Sequence, residues 1–434
     1  MLLARPMARF SAHDRDPLVW CIAIAAAFLA LAVWRLGIPT RLYFDEVHYV
    51  PAARKLLELK AANREHPLFA KELIAASIRL FGDTSWAWRL PSVVCGGVGL
   101  FAFSRLVWWS SRRRRATILA ALLLATNFTW FIQSRIAMLD MVSAGLLMVG
   151  LWQFAAALAA PAAKARWRLL AAGVALGLSM GAKWSGVPAI VLPGLAFLAL
   201  RVRSAGPVFI GRRGAGPISG VTMAEAVFFL GLLPLAVYWA TYAPAFFYPV
   251  GWKLDPLNVI GQHEFMIRLQ DSVRKPHPYR SFWYQWIVDW RAIWYLYEPV
   301  DGAQRGIVLI GNPFSMLAGL PALLWCLWQG LRRKRAYLLG FVVLYAACLG
   351  MWVVNGKPIQ FYYHYLLPGA FLMACLAFAL DDLWSRRDRW RWLAPLSLIA
   401  TFAMFAYFFP IISAMQLADG KRAYAKWMWL DSWR

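Results

Sequence analysis

The stretch PLVWCIAIAAAFLALAVWRLG, residues 17–37, decides the class of fold. It is an apolar run of about 20 residues, enough to cross a bilayer. It follows a basic leader, MLLARPMARFSAHDRD, and is read as an uncleaved first span, because a cleaved signal has a shorter core and a small-residue cleavage site. Immediately after it the chain turns polar and carries Tyr43-Phe44-Asp45-Glu46-Val47-His48-Tyr49.

The rest of the chain repeats this alternation. Of 434 residues, 61% are hydrophobic and 15% charged, with a mean hydropathy of +0.52. A soluble domain cannot hide that much apolar surface behind so few polar groups. The net charge of +25 and pI near 10.3 would suit nucleic acid on a soluble protein. Here the basic residues cluster between apolar spans, as topology signals do, so a nucleic-acid partner is set aside. The five cysteines (Cys21, Cys95, Cys326, Cys348, Cys375) lie in apolar segments without metal-ligand spacing.

About eleven spans are expected, near 17–36, 91–109, 116–133, 138–160, 169–182, 185–201, 224–243, 306–330, 337–354, 361–380 and 392–413, in a single all-α membrane unit over residues 1–434. Basic loops at Arg112–Arg115, Lys164–Arg168, Arg201–Arg213, Arg332–Arg335 and Arg386–Arg391 all fall on the side of the N-terminus in that count. The positive-inside pattern makes that side cytoplasmic. Two polar segments, 37–90 and 244–305, then face outward, as interfacial helices lying against the membrane.

Five elements with chemical potential fall on that outer side. The first loop holds Asp45 and Glu46, adjacent carboxylates whose side chains point about 100° apart on a helix and so take different roles. His48 and Tyr49 follow at helical spacing from Asp45. Next come His66-Pro67-Leu68-Phe69-Ala70-Lys71, then Arg135 to Asp140 at a span edge, Gly181-Ala182-Lys183-Trp184-Ser185-Gly186, and Gly356-Lys357 through His364-Tyr365-Leu366-Leu367-Pro368. Each has a bland reading in isolation: a solvated loop carboxylate, a helix cap, a snorkelling Arg, an interfacial Lys, an aromatic belt. Together they bring a potential base and several cations to one face. That suits sugar transfer from a lipid phosphate, in which a hydroxyl loses its proton and a departing phosphate needs its charge balanced.

The ordered motifs resemble the protein O-mannosyltransferases. Phe44-Asp45-Glu46 is similar to that family's first-loop Asp-Glu motif, and His66-Pro67 with Lys71 to its His-Pro-Pro…Lys element. Arg135 to Asp140 resembles its Arg-x-x-x-Leu-Asp segment, and Lys183-Trp184-Ser185-Gly186 its Lys-Trp/Tyr-x-Gly turn. His277-Pro278-Tyr279-Arg280-Ser281-Phe282-Trp283 with Trp286, and His364-Tyr365-Leu366 with Pro368, resemble its later signatures. Leu68 stands where the family has its second proline, and the MIR repeats of eukaryotic members have no counterpart.

The resemblance implies a GT-C glycosyltransferase fold and inverting transfer of mannose from a polyprenyl (dolichyl-type) phosphate to Ser or Thr of translocated proteins. Coupling to the secretion machinery and contact with membrane lipids go with it. It casts Asp45 as the base and Glu46 as an acceptor-binding or orienting residue. Lys183 and Arg135 become ligands of the donor phosphate, with Asp140 orienting Arg135. His48, His66, Lys71 and His364 line the substrate site. No metal or other cofactor is required. The expected place is the cell (inner or plasma) membrane, with the active site on the outer face. A relative that glycosylates a lipid, such as an aminoarabinose transferase of lipid A, shares the Asp-Glu loop and the lipid-phosphate donor. A lipid-phosphate transporter is a reading from a different class.

Overall fold

A computed structural model describes residues 15–211, 214–249, 252–272, 277–357, 359–418 and 422–434. The basic leader up to residue 14, Arg212, Arg213 and Pro358 lie outside the described residues. Eight helices are long and apolar enough to cross a membrane. They are Ser85–Ser111, Leu139–Ala157, Trp184–Val208, Met223–Ala240, Pro313–Arg332, Ala336–Val354, Tyr362–Trp384 and Arg389–Ile412.

Helices also occupy the three other predicted positions. α1 (Leu18–Val33) is apolar but only 16 residues long. The third predicted span is broken into α5 (Arg114–Ala125) and α6 (Phe128–Gln133), because Asn127 caps the second piece by accepting from the Trp130 amide. The fifth is longer than expected, as α8 (Ala162–Ala182). The chain is therefore a multi-pass membrane protein.

Shorter helices from the polar segments bind this bundle together. α2 (Glu46–Leu57) and α3 (Phe69–Phe81) fill the first polar segment, and α4 (Ser85–Ser111) begins six residues before the expected span. The shift takes Arg89 into the helix. α3 is amphipathic as expected, burying Ala70, Lys71, Ile74 and Ile78 on one face. α7 (Leu139–Ala157) and Tyr362–Trp384 are the most buried spans, 78% and 83% over their apolar windows, and form the centre. The spans Met223–Ala240 and Arg389–Ile412 are only 22% and 28% buried, as lipid-facing helices are.

Small residues set the spacing. On α8, Gly173, Gly177 and Gly181 recur every four residues. A Cβ at Gly177 would lie 2.6 Å from the Pro234 carbonyl oxygen, so only glycine lets Met223–Ala240 approach this closely.

The helical class holds with one addition. In the second polar segment β1 (Ile293–Val300) pairs antiparallel with β2 (Ala303–Leu309) through the turn Asp301-Gly302. Both turn residues have positive φ, 50° and 70°, the backbone that Asp-Gly favours in two-residue hairpins. The strand takes residues 303–309, so the eighth predicted span starts at Pro313 instead of 306. The register slips between Trp294 and Leu296, which leaves Tyr295 as the extra residue of a bulge.

Candidate functional site

The turn before α2 separates the two adjacent carboxylates. Phe44 has φ 48°, a strained backbone for a bulky residue. Its ring is held by stacking on Tyr295 (centroids 4.0 Å apart, 18° between planes) and edge-on by Tyr363 at 6.2 Å. The hairpin bulge thus buttresses the turn that presents Asp45.

Glu46 points into the protein. It is fully buried and bonded to Arg89, Nε to Oε1 at 2.7 Å and Nη2 to Oε2 at 2.9 Å. The Ala137 amide donates to it at 3.0 Å and the Tyr43 amide at 3.3 Å. Arg89 also donates to the carbonyls of Leu36, Pro39 and Arg41. Glu46 is therefore an orienting residue that clips the first loop onto α4, with no face left for an acceptor. Sequence reading missed Arg89 because the span was started at Pro91; an Arg inside a spanning helix, costly unless partnered, was the available signal.

Asp45 does the opposite. Its carboxylate has no hydrogen-bond or ion-pair partner among the described residues. Burial pushes it up to about 6; Lys183, His48 and Lys357 pull it down and Asp140 pushes it up. Its charge also reaches Tyr49, Tyr295 and Tyr363.

A cavity of about 460 Å³ opens nearby. Asp45 is not among its lining residues, but Tyr49, four residues on, is, as are the Lys183 and Lys357 whose charges act on Asp45. Tyr49, His66, Lys183, Lys357, Tyr363 and His364 supply its polar wall. Met180, Val187, Leu235 and Ile267 supply an apolar one. A narrower recess shares His364, Tyr363 and Ser185 and reaches Asp140.

Lys183, at the end of α8, donates to both oxygens of Asp140 at 2.8 Å. The pair is buried and joins α7 to α8, and Lys183 also lies 5.1 Å from the Tyr363 ring. This corrects the expected pairing of Asp140 with Arg135. Arg135 is buried elsewhere, donating to the carbonyls of Ala32 (2.6 Å) and Trp34 (2.8 Å) at the end of α1. Those orphan carbonyls need donors and α1 ends there, so the guanidinium caps a helix and is absent from the cavity wall.

His66 lines the cavity, edge-on to Tyr49 with ring centroids 6.1 Å apart. Burial, with Lys183, Lys71 and Lys357 nearby, holds its imidazole well below the usual range and hence neutral. Lys71 does not reach the cavity. It is buried and donates to the carbonyls of Asn63 (2.6 Å) and His66 (2.9 Å), so it shapes the His66 loop. Burial pulls its ammonium down to about 7, against the pull of Glu65 and Glu72. His48 is exposed on α2 and touches the site only through its charge near Asp45.

His364 is buried at the cavity wall. Its Nδ1 accepts from the Phe361 amide at 3.1 Å and its ring stacks on Trp352 at 3.7 Å. The second-loop motif supports it: Trp286 packs 5.8 Å from the His364 ring and donates to Ser281 Oγ at 2.8 Å. A further group was not foreseen. His263 stacks on Trp184 and accepts or donates with the Tyr238 hydroxyl at 2.7 Å, closing the cavity from the helix Val259–Asp271.

Two sequence profiles described as "Dolichyl-phosphate-mannose-protein mannosyltransferase" match residues 22–88 and 65–208. A third, the "C-terminal four TMM region of protein-O-mannosyltransferase", matches residues 258–433. The Polyprenol-phosphate-mannose--protein mannosyltransferase of Mycolicibacterium smegmatis (strain MKD8) is 24% identical over 99% of this chain and 94% of its own length. That of Mycobacterium tuberculosis (strain ATCC 25618 / H37Rv) is 26% identical over the same shares. Among solved structures, the S. cerevisiae protein O-mannosyltransferase Pmt1-Pmt2 complex bound to the sugar donor superposes with a TM-score of 0.81 at 14% identity, covering 98% of this chain and 93% of that one. ArnT from Cupriavidus metallidurans bound to undecaprenyl phosphate gives 0.57 at 15% identity, covering 91% and 76%. These likenesses establish the GT-C membrane glycosyltransferase fold.

Proposed function

The chain belongs to the protein O-mannosyltransferase family, and from that premise we propose the reaction its site carries out. It transfers mannose from a polyprenyl phosphate carrier to Ser or Thr hydroxyls of proteins. The observation that carries this reading is an Asp45 carboxylate, unpartnered among the described residues, within the electrostatic reach of Lys183 and Lys357, two lysines that line a cavity with apolar residues also in its wall.

The acceptor hydroxyl gives its proton to Asp45 as its oxygen attacks the anomeric carbon. The bond from that carbon to the phosphate oxygen breaks with inversion, and its electron pair leaves on the phosphate. Asp45 must be a carboxylate to act, and a value near 6 keeps it mostly ionised at neutral pH while leaving it basic enough to take a proton. Lys183 provides positive charge to the phosphate from its fixed place on α8. His66 and His364, neutral or fixed by their backbone partners, offer hydrogen bonds to the sugar. The apolar wall takes the first units of the lipid.

The site faces the outer side of a cell (inner or plasma) membrane, with the N-terminus cytoplasmic. The basic loops support that orientation, and acceptors reaching the site during secretion follow from it. The reaction as written needs no metal. The alternative is a lipid acceptor on the same donor chemistry; the ArnT likeness supports the fold alone and does not favour it.

The test uses protein purified in detergent, a polyprenyl-phosphate mannose donor and a Ser/Thr-rich peptide. Mannosyl-peptide detected by mass with the wild type and absent with Asp45→Asn is expected. No transfer by folded wild type would point to a lipid acceptor or another sugar.

A further inference from the structure

Among the described residues, little free positive charge is left for the donor phosphate. Arg135, one of its two expected ligands, is spent on the carbonyls that end α1. Lys183 remains, but its ammonium sits 2.8 Å from both oxygens of Asp140. That pair is neutral overall, so its field falls off as a dipole's. It cannot alone balance a phosphodiester, and still less the phosphate monoester that departs with one more negative charge.

Among the described residues, Lys357 is the other lysine on the cavity wall. Among the described residues its ammonium has neither an ion pair nor a hydrogen bond. It is half-buried, and burial together with Lys183 pulls it below the usual lysine range, although Asp140, Asp271 and Asp45 oppose this. An anion placed between the two lysines would relieve that cost. The loop that carries it is held in place: Gln360 Nε2 donates to the Trp352 carbonyl at 3.1 Å and to the Lys357 carbonyl at 3.4 Å. The Ser281 amide in turn donates to the Gln360 carbonyl at 2.9 Å. The second-loop signature around Ser281 and Trp286 thereby gains a role, which is to fix the segment presenting Lys357.

We propose that Lys357, which lines the same cavity as Lys183, is the second phosphate ligand of the donor and that it makes the site select a charged lipid carrier over a neutral polyprenol. This rests on the lipid-phosphate reading above. Lys357 exchanges no proton. It neutralises the phosphate oxygen that receives the electron pair of the breaking bond to the anomeric carbon, while the acceptor proton goes to Asp45.

The test measures binding of undecaprenyl phosphate and of undecaprenol to the full chain in nanodiscs, for wild type, Lys357→Gln and Lys357→Arg, with melting temperatures matched. Lys357→Gln is expected to weaken undecaprenyl phosphate binding about tenfold or more, the usual size of one lost hydrogen bond to a charged group. Undecaprenol binding stays unchanged, and Lys357→Arg retains most of the affinity. In turnover, the donor KM rises and the peptide KM does not. Equal undecaprenyl phosphate binding by wild type and Lys357→Gln overturns the proposal. The binding arm involves neither sugar nor acceptor: a chain that binds undecaprenyl phosphate through Lys357 yet mannosylates no peptide keeps this assignment and loses the mannosyl-transfer reading.

Discussion

Glu46 and Arg89, 43 positions apart, form a two-pronged ion pair from which solvent is fully excluded, with contacts of 2.7 and 2.9 Å. Next to it, the Asp45 carboxylate has no partner among the described residues. One peptide unit separates a structural clip from the candidate base. The left-handed Phe44 turn, braced by Tyr295, holds them in different surroundings.

Glu46→Ala therefore acts on folding before chemistry. It strands a buried guanidinium, and losing one partner of such a pair costs about 3–5 kcal/mol. Thermal melts in detergent are expected to show a large drop in Tm. An unchanged Tm with a raised peptide KM would instead make Glu46 an acceptor ligand.

Asp45→Asn is expected to keep the wild-type melting temperature and lose about 10²-fold or more in kcat, the usual size of general-base catalysis. Single-turnover rates with saturating donor and peptide measure this. A loss of less than about threefold would remove Asp45 from the role.

The pH dependence follows from the same residue. Protonated Asp45 cannot accept a proton, so kcat/KM falls as pH drops through about 6 and is level above it. The charged groups facing it are Lys183, Asp140, His48 and Lys357. Lys183 favours the ionised form, so Lys183→Gln moves the acid limb to higher pH as well as raising the donor KM. A limb that stays put in this variant would show that another group titrates.

A chelator is expected to leave the initial rate unchanged, because Lys183 and Lys357 bring the positive charge that the leaving phosphate needs. Assay with excess EDTA checks this. A loss restored by Mg²⁺ or Mn²⁺ would show that the site works with a bound cation.

Gly177→Leu tests how α8 sets the site. The new side chain would meet Val237 Cβ and the Pro234 carbonyl within 2.7 Å. Overpacking of this kind costs about 1–3 kcal/mol. A lower Tm and a raised donor KM are expected, because the helix that carries Lys183 is forced from its neighbour. A wild-type melt and KM would mean the two helices part freely.

Much of this protein was legible from the chain alone. Apolar runs of bilayer length, with basic loops between them, have few alternatives in physics, so helices occupy all eleven predicted positions. The ordered short motifs marked residues that come together, and His66, Lys183 and His364 do line one cavity. The hairpin announced itself in Asp301-Gly302 beside an aromatic strand, a signal lost in a segment read only for amphipathic helices.

What the tertiary structure decided is partnership. The family resemblance cast Asp140 as orienting Arg135, five residues earlier, yet Asp140 binds Lys183, and Arg135 turns to the open end of α1. Glu46 finds Arg89, and Lys357 keeps its charge for the cavity. A buried charge must be met wherever the packed helices bring an opposite charge or an orphan carbonyl, and that meeting depends on how helices cross, which no local pattern encodes. The order of the motifs pointed to the residues that gather around one site; the packing determined which remain free to do chemistry there.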